Sequence, residues 1–241
     1  MIIPTPQDAK HKNQMFRLLR ALLRDNVLAN ILMFKGGTYA SLRGVLDRFS
    51  VDLDFDLPDK TAKPAIRQKL YPLFKKLGLE VKDESTNHLQ FFLKYAAGEL
   101  ERNTLKLEIN DDVSPCNIYE KVRLMEVDVY CIGHTLPTAF ANKMVAAIAR
   151  YEKNGSIAGR DFYDMHTFFT KGIEVNRAVV EERTGISYSE YLKKLGDFVK
   201  MEVSERLLNE DLNMLMDRKQ LRLMVPVLKE ELLVYIRDAS M

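Results

Sequence analysis

Apolar and polar residues recur along this chain with two different periods. Residues 8–26 set Met15, Phe16, Leu18, Leu19, Leu22 and Leu23 on one face of a helical wheel, with lysine and arginine opposite, which predicts an amphipathic helix. Residues 31–34 are a short apolar run that ends at Lys35-Gly36-Gly37, and residues 38–46 return to helical spacing, so strand, glycine turn and helix are expected in that order. Residues 50–57 then alternate without a break. Strand side chains repeat every second residue, so Val51, Leu53, Phe55 and Leu57 share one face while Asp52, Asp54 and Asp56 share the other.

Residues 61–77 predict a second helix, interrupted near Pro64 and Pro72, that carries Lys63, Arg67, Lys69, Lys75 and Lys76. Between positions 79 and 131 the period returns to two, with strands expected over 79–81, 89–95, 104–110 and 126–131. In the third of these, Leu105, Leu107 and Ile109 face inward while Lys106, Glu108 and Asn110 face outward. From Pro137, which suits a first helical turn, the pattern is helical to the end: residues 139–150, a helix opening at Arg160, then 175–183, 188–199, 204–216 and 225–237. The whole predicts an α+β protein, a mixed β-sheet with helices over residues 1–135 followed by an α-helical domain over 136–241.

Composition narrows the picture only a little. With 46% hydrophobic and 29% charged residues in a chain of 241, a globular protein with a real core is expected. Lys plus Arg number 36 against 34 Asp plus Glu, a net charge of +2, so any nucleic-acid surface would have to be local. The lysines of residues 60–76 read more readily as a solvated face than as a ledge for a polynucleotide. Arg218, Lys219 and Arg222, a small basic cluster, could grip an acceptor or lie on an exposed helix turn. Cys116 and Cys131 form neither a metal spacing nor a disulfide framework, and no cleavable signal or long apolar stretch is present, which suggests a reduced, bacterial-type cytoplasm and no membrane partner.

The acidic strand carries the chemistry. Two carboxylates projecting side by side from a strand with an apolar underside repel each other, and a divalent metal such as magnesium or manganese would compensate them while leaving positions open for phosphate oxygens. Gly36 and Gly37 carry no side chains, so backbone N–H groups there could approach a triphosphate, with the Thr38 hydroxyl beside them. An EF-hand loop is excluded, because it needs glycine where Leu57 stands and polar residues where Leu53 and Phe55 stand. A phosphatase with a nucleophilic aspartate would not need the Gly-Gly-Thr turn.

Gly-Gly-Thr, a helix-length gap and Asp-Leu-Asp together resemble the signature of the nucleotidyltransferase superfamily that includes DNA polymerase beta. More narrowly, Lys35 to Thr38 and Arg48 to Phe55 are similar to the AbiEii/AbiGii family of bacterial toxins, with its Lys-Gly-Gly-Thr turn and Arg-x-Ser-x-Asp-x-Asp-Phe strand. The spacing from Lys143 to Arg160-Asp161-x-x-Asp164 resembles the second half of that signature. The resemblance implies a nucleotidyltransferase core whose active-site cleft is completed by the helical domain. It implies that Asp52, Asp54 and Glu108 bind two magnesium ions, with Asp128 as the fallback for the third acid. Lys35, Gly36, Gly37, Thr38, Ser50 and Lys143 would bind the nucleoside triphosphate, with Arg48 and Ser50 bracing the turn or the phosphates. Asp161 would support Lys143 or the acceptor. A structural ion-pair network of Arg150, Arg160 and Asp164 is the alternative for this second cluster. The activity implied is transfer of a nucleoside monophosphate to a hydroxyl of an RNA such as tRNA, by the toxin of a type IV toxin–antitoxin or abortive-infection pair with a cognate antitoxin. A nucleotide-binding regulator without turnover, or transfer to a protein or small molecule, would share the same pattern.

Overall fold

Seven strands form a single mixed sheet in the computed structural model, which describes residues 8–98 and 102–240. The chain makes two compact units. One runs to Gly44 and takes in Arg48–Val113 and Tyr119–His134; the other comprises Val45–Asp47, Ser114–Ile118 and the chain from Thr135 onward.

The first unit opens with α1 (Asp8–Arg24), whose Met15, Phe16, Leu18, Leu19, Leu22 and Leu23 are all buried, as their spacing predicts. A single helical turn, α2 (Leu28–Ile31), leads into β1 (Met33–Lys35), and α3 (Gly36–Leu42) follows without a loop. Next come β2 (Asp52–Asp56), α4 (Lys63–Lys76), β3 (Glu80–Glu84), β4 (Leu89–Lys94), β5 (Thr104–Asn110), β6 (Tyr119–Leu124) and β7 (Val129–His134). The sheet order is β3-β4-β5-β2-β1-β7-β6, with β2 parallel to β5, β1 parallel to β7 and the remaining pairs antiparallel. The acidic strand therefore lies at the centre, and its underside is the middle of the core. Leu53, Phe55, Leu105, Leu107 and Ile109 are buried there, and Phe34 stacks on Phe55 with ring centroids 4.8 Å apart. Burying each such side chain stabilises the fold by about 1.5–3 kcal/mol, which fixes β2 and β5 in register and so fixes which way their polar residues point.

The pattern misplaced several boundaries. α4 is continuous through Pro72, because Pro64 falls at the start of the helix, where its missing N–H has no partner to lose, and Ile66, Leu70 and Phe74 anchor the remainder in the core. The last expected strand, over 126–131, is shifted to β7, and β6 is additional. Tyr119, Glu120, Lys121 and Arg123 show no alternation, because β6 is an edge strand of which only Leu124 is buried.

The second unit is helical: α5 (Leu136–Asn154), α6 (Gly159–Thr170), α7 (Arg177–Thr184), α8 (Tyr188–Glu202), α9 (Glu205–Leu212) and α10 (Arg218–Ala239). Gly155, in the left-handed region at φ +70°, ends α5, and a Ser187–Glu190 capping box starts α8. Asp217 caps α10 by accepting from the Lys219 N–H at 2.8 Å, so this helix begins seven residues before the expected position 225, and the basic residues Arg218, Lys219 and Arg222 lie in its first turns. Gly159 packs against α9, where an added Cβ would come within 3.0 Å of the Leu207 carbonyl oxygen.

Candidate active site

The parallel pairing of β2 with β5 sets Asp52 opposite Lys106 and Asp54 opposite Glu108, while antiparallel β1 sets Lys35 opposite Asp54. Five charged residues thus meet on one face of the sheet at its centre. Among the described residues, neither the Asp52 nor the Asp54 side chain forms an ion pair or a hydrogen bond. Burial and the neighbouring charges of Asp52 and Glu108 push the Asp54 carboxyl up to about 6. Glu108 is in a different situation. Burial opposes its ionisation, but a hydrogen bond and the charge of Lys106 outweigh that and hold its carboxyl below the usual range.

Gly36 stands at φ +79°, a conformation that glycine adopts without strain, and a Cβ there would lie 2.3 Å from Asp54 Oδ2. The turn backbone therefore rests against the Asp54 carboxylate, and a side chain would drive the two apart. At Gly37 a Cβ would meet the buried Arg48 guanidinium at 2.8 Å and the Ser50 hydroxyl at 3.0 Å. Lys35 supplies no side-chain cap to α3, whose first turn keeps its backbone donors for another partner.

Thr38 and Lys35 both have partners within the protein. The Thr38 hydroxyl points inward, donating to the Asp52 carbonyl oxygen at 2.6 Å and lying 2.9 Å from Ser50 Oγ; it is fully buried. Thr38 and Ser50 together therefore pin the turn to the acidic strand. The Lys35 ammonium pairs with Asp56 at 2.5 Å. Asp56, which the alternation put on the open face, is buried: His134 Nε2 lies 2.8 Å from it and the Tyr119 hydroxyl donates to it at 3.1 Å. Asp128 is excluded as an acid of this cluster. It sits in the β6–β7 turn at φ 51° with its side chain 72% exposed, paired with Arg123 at 2.6 Å.

Within the second unit, the α5 residue Lys143 lies 3.0 Å from Asp161 and 3.0 Å from Asp164, both buried on α6, and Arg150 closes tightly on Asp161. Burial would raise the Asp161 carboxyl, but Lys143 and Arg150 draw it down to about 2. Asp161 thus holds both Lys143 and Arg150. In the first unit, two residues of the sheet-face cluster and its surroundings were not foreseen as site residues, Lys106 and Asp56. Lys106 could have been found, because it shares the outward face of β5 with Glu108; the partners of Asp56 come from β1, β6 and β7, which no local pattern links.

Among the described residues, no three His, Cys, Asp or Glu side chains converge closely enough to form a ready metal cage. The donor chemistry at Asp52 and Asp54 nonetheless fits magnesium or manganese: hard carboxylate oxygens with no cation paired to them among the described residues, in a place where mutual repulsion raises the cost of ionising both.

A family model for the nucleotidyl transferase AbiEii toxin of type IV toxin–antitoxin systems matches residues 17–230. Among solved structures, JHP933 from Helicobacter pylori is similar with a TM-score of 0.55 and 21% identity, over 98% of this chain and 96% of that one. MenT4, a nucleotidyltransferase toxin from Mycobacterium tuberculosis, is similar with a TM-score of 0.57 and 20% identity, over 96% of this chain and 84% of that one. At such identities the likeness is one of fold. No curated protein matches the chain.

Proposed function

Because the chain belongs to the AbiEii family of nucleotidyl transferase toxins, we propose that it moves a nucleoside monophosphate from a nucleoside triphosphate to a hydroxyl of RNA, tRNA being one such acceptor, with magnesium or manganese as cofactor. Membership of a type IV toxin–antitoxin family implies an antitoxin as its partner. The observation that carries the mechanistic reading is the pair Asp52 and Asp54, adjacent on one strand and unpaired among the described residues, with the Asp54 carboxyl pushed up to about 6. A divalent cation held there would polarise phosphate oxygens and ease ionisation of the acceptor hydroxyl.

The remaining roles follow from the residues around that pair. Gly36 leaves the backbone bare beside Asp54 and Gly37 leaves it bare beside Arg48 and Ser50, so that N–H groups of the turn can bind phosphate oxygens. Arg48, Ser50 and Thr38 hold the turn from behind. Lys35, fixed by Asp56, adds positive charge next to the acids. In the second unit, Lys143, paired with Asp161, offers a point charge of the kind that binds phosphate. The acceptor hydroxyl gives up its proton to solvent as its oxygen attacks the α-phosphorus, the bond from that phosphorus to the oxygen bridging to the β-phosphate breaks, and pyrophosphate leaves with the displaced charge.

The test is to incubate the protein with magnesium, each α-labelled nucleoside triphosphate in turn and total bacterial RNA, and to resolve the products on a denaturing gel. Label on RNA with the wild type, and none with the Asp52→Ala Asp54→Ala variant, is the expected result. Label that appears only on protein or on small molecules would overturn the choice of acceptor.

A further inference from the structure

The cluster of acids contains its own cation. Lys106 stands opposite Asp52 in the register of β2 and β5, and its ammonium turns along its own strand to Glu108, with which it closes a tight ion pair. Gln90, opposite Glu108 on β4, donates to the same Glu108 oxygen at 3.3 Å. Glu108 Oε2 is therefore held twice by protein groups, whereas Asp52 and Asp54 pair with no described residue. The side chain of Lys106 is only 28% exposed, and it feels the charges of Asp54 and Asp52 as well as that of Glu108. A lysine there acts as a compact point charge among the three carboxylates.

Charge balance points the same way. Before nucleotide binds, three carboxylates and one ammonium leave two negative charges, which a single divalent ion neutralises. A paired metal site also needs acids that reach both ions about 3.5–4 Å apart, and the third acid is already engaged.

We propose that Lys106 takes the place of a second divalent cation, so that the site binds one metal ion, on Asp52 and Asp54, while Lys106 neutralises Glu108. This rests on the nucleotidyl-transfer reading of the same residues. It makes Glu108 a partner of Lys106 rather than a metal ligand in the wild-type protein, and it assigns Lys106 a share of the positive charge that faces the triphosphate.

The experiment is a Mn2+ titration followed by electron paramagnetic resonance, with the full chain and a mixture of the four α,β-methylene nucleoside triphosphates, corrected against the same nucleotides without protein. The wild type is expected to bind one Mn2+ per chain and to give an uncoupled spectrum. Lys106→Met, which keeps the aliphatic stem, is expected to bind two ions that are spin-coupled, and Lys106→Met Glu108→Gln to return to one. A coupled pair in the wild type, or a single ion in Lys106→Met that is confirmed folded by circular dichroism, would overturn the inference and leave the transfer reading standing. No protein-bound Mn2+ in the wild type would remove that reading, and the inference with it.

Discussion

At the scale of single residues, the site depends on the absence of a side chain as much as on the presence of carboxylates. Gly36 combines a positive φ with a carboxylate oxygen in the space a Cβ would fill. Gly44 has nearly the same backbone angle, φ +74°, but an added Cβ there would meet nothing within 4 Å. The two glycines therefore separate backbone strain from displacement of Asp54. Either substitution by alanine should cost about 1 kcal/mol of stability from the left-handed conformation alone. Gly36→Ala should in addition lower kcat/KM for nucleotide by roughly tenfold or more, since an error of about 1 Å in a reacting group can cost a hundredfold; Gly44→Ala should leave it within about twofold. Equal kinetic losses in the two variants would show that the turn contributes nothing beyond its fold. The Gly-Gly-Thr and Asp-Leu-Asp runs were legible because close backbone approach and strand alternation are local properties. The inward turn of Thr38 was not legible: its acceptors, Ser50 and the Asp52 carbonyl, are set by how α3 packs on β2.

Elements decide which of the legible residues meet. The alternating stretch 104–110 showed that Glu108 faces away from the core, but only the parallel register with β2 puts it opposite Asp54. Asp56 shows the opposite outcome: the alternation aligned it with Asp52 and Asp54, yet Lys35, Tyr119 and His134 enclose it at the sheet centre. In the second unit, α5 and α6 are joined by the four-residue cluster of Lys143, Arg150, Asp161 and Asp164. Because the folded pKa of Asp161, about 2, lies below its unfolded value of about 3.9, the carboxylate contributes stability at neutral pH that is lost as pH falls through about 2. A shift of roughly two units corresponds to about 2–3 kcal/mol. Asp161→Asn should therefore lower the urea unfolding free energy by about 2–4 kcal/mol at pH 7, since it also leaves Arg150 without its partner, and the gap to the wild type should close as pH approaches 2. A gap independent of pH would mean that the loss comes from packing and not from charge.

For the whole molecule, the fold class was readable because the chain changes its hydrophobic period from two to 3.6 near Pro137, just after the last strand, β7. The sheet order was not readable, since β5 reaches β2 across three intervening elements and the edge strand β6 lacks alternation. No helix among the described residues is long and apolar enough to cross a membrane. The proposed function places nucleotidyl transfer on the carboxylates of β2. The most direct test is pyrophosphate release from the four nucleoside triphosphates with magnesium and total bacterial RNA, comparing the wild type with Asp52→Asn Asp54→Asn. The account predicts steady release by the wild type and a loss on the order of a thousandfold or more in the variant, as several kcal/mol of transition-state stabilisation are removed. Release that is equal in the two proteins would contradict it.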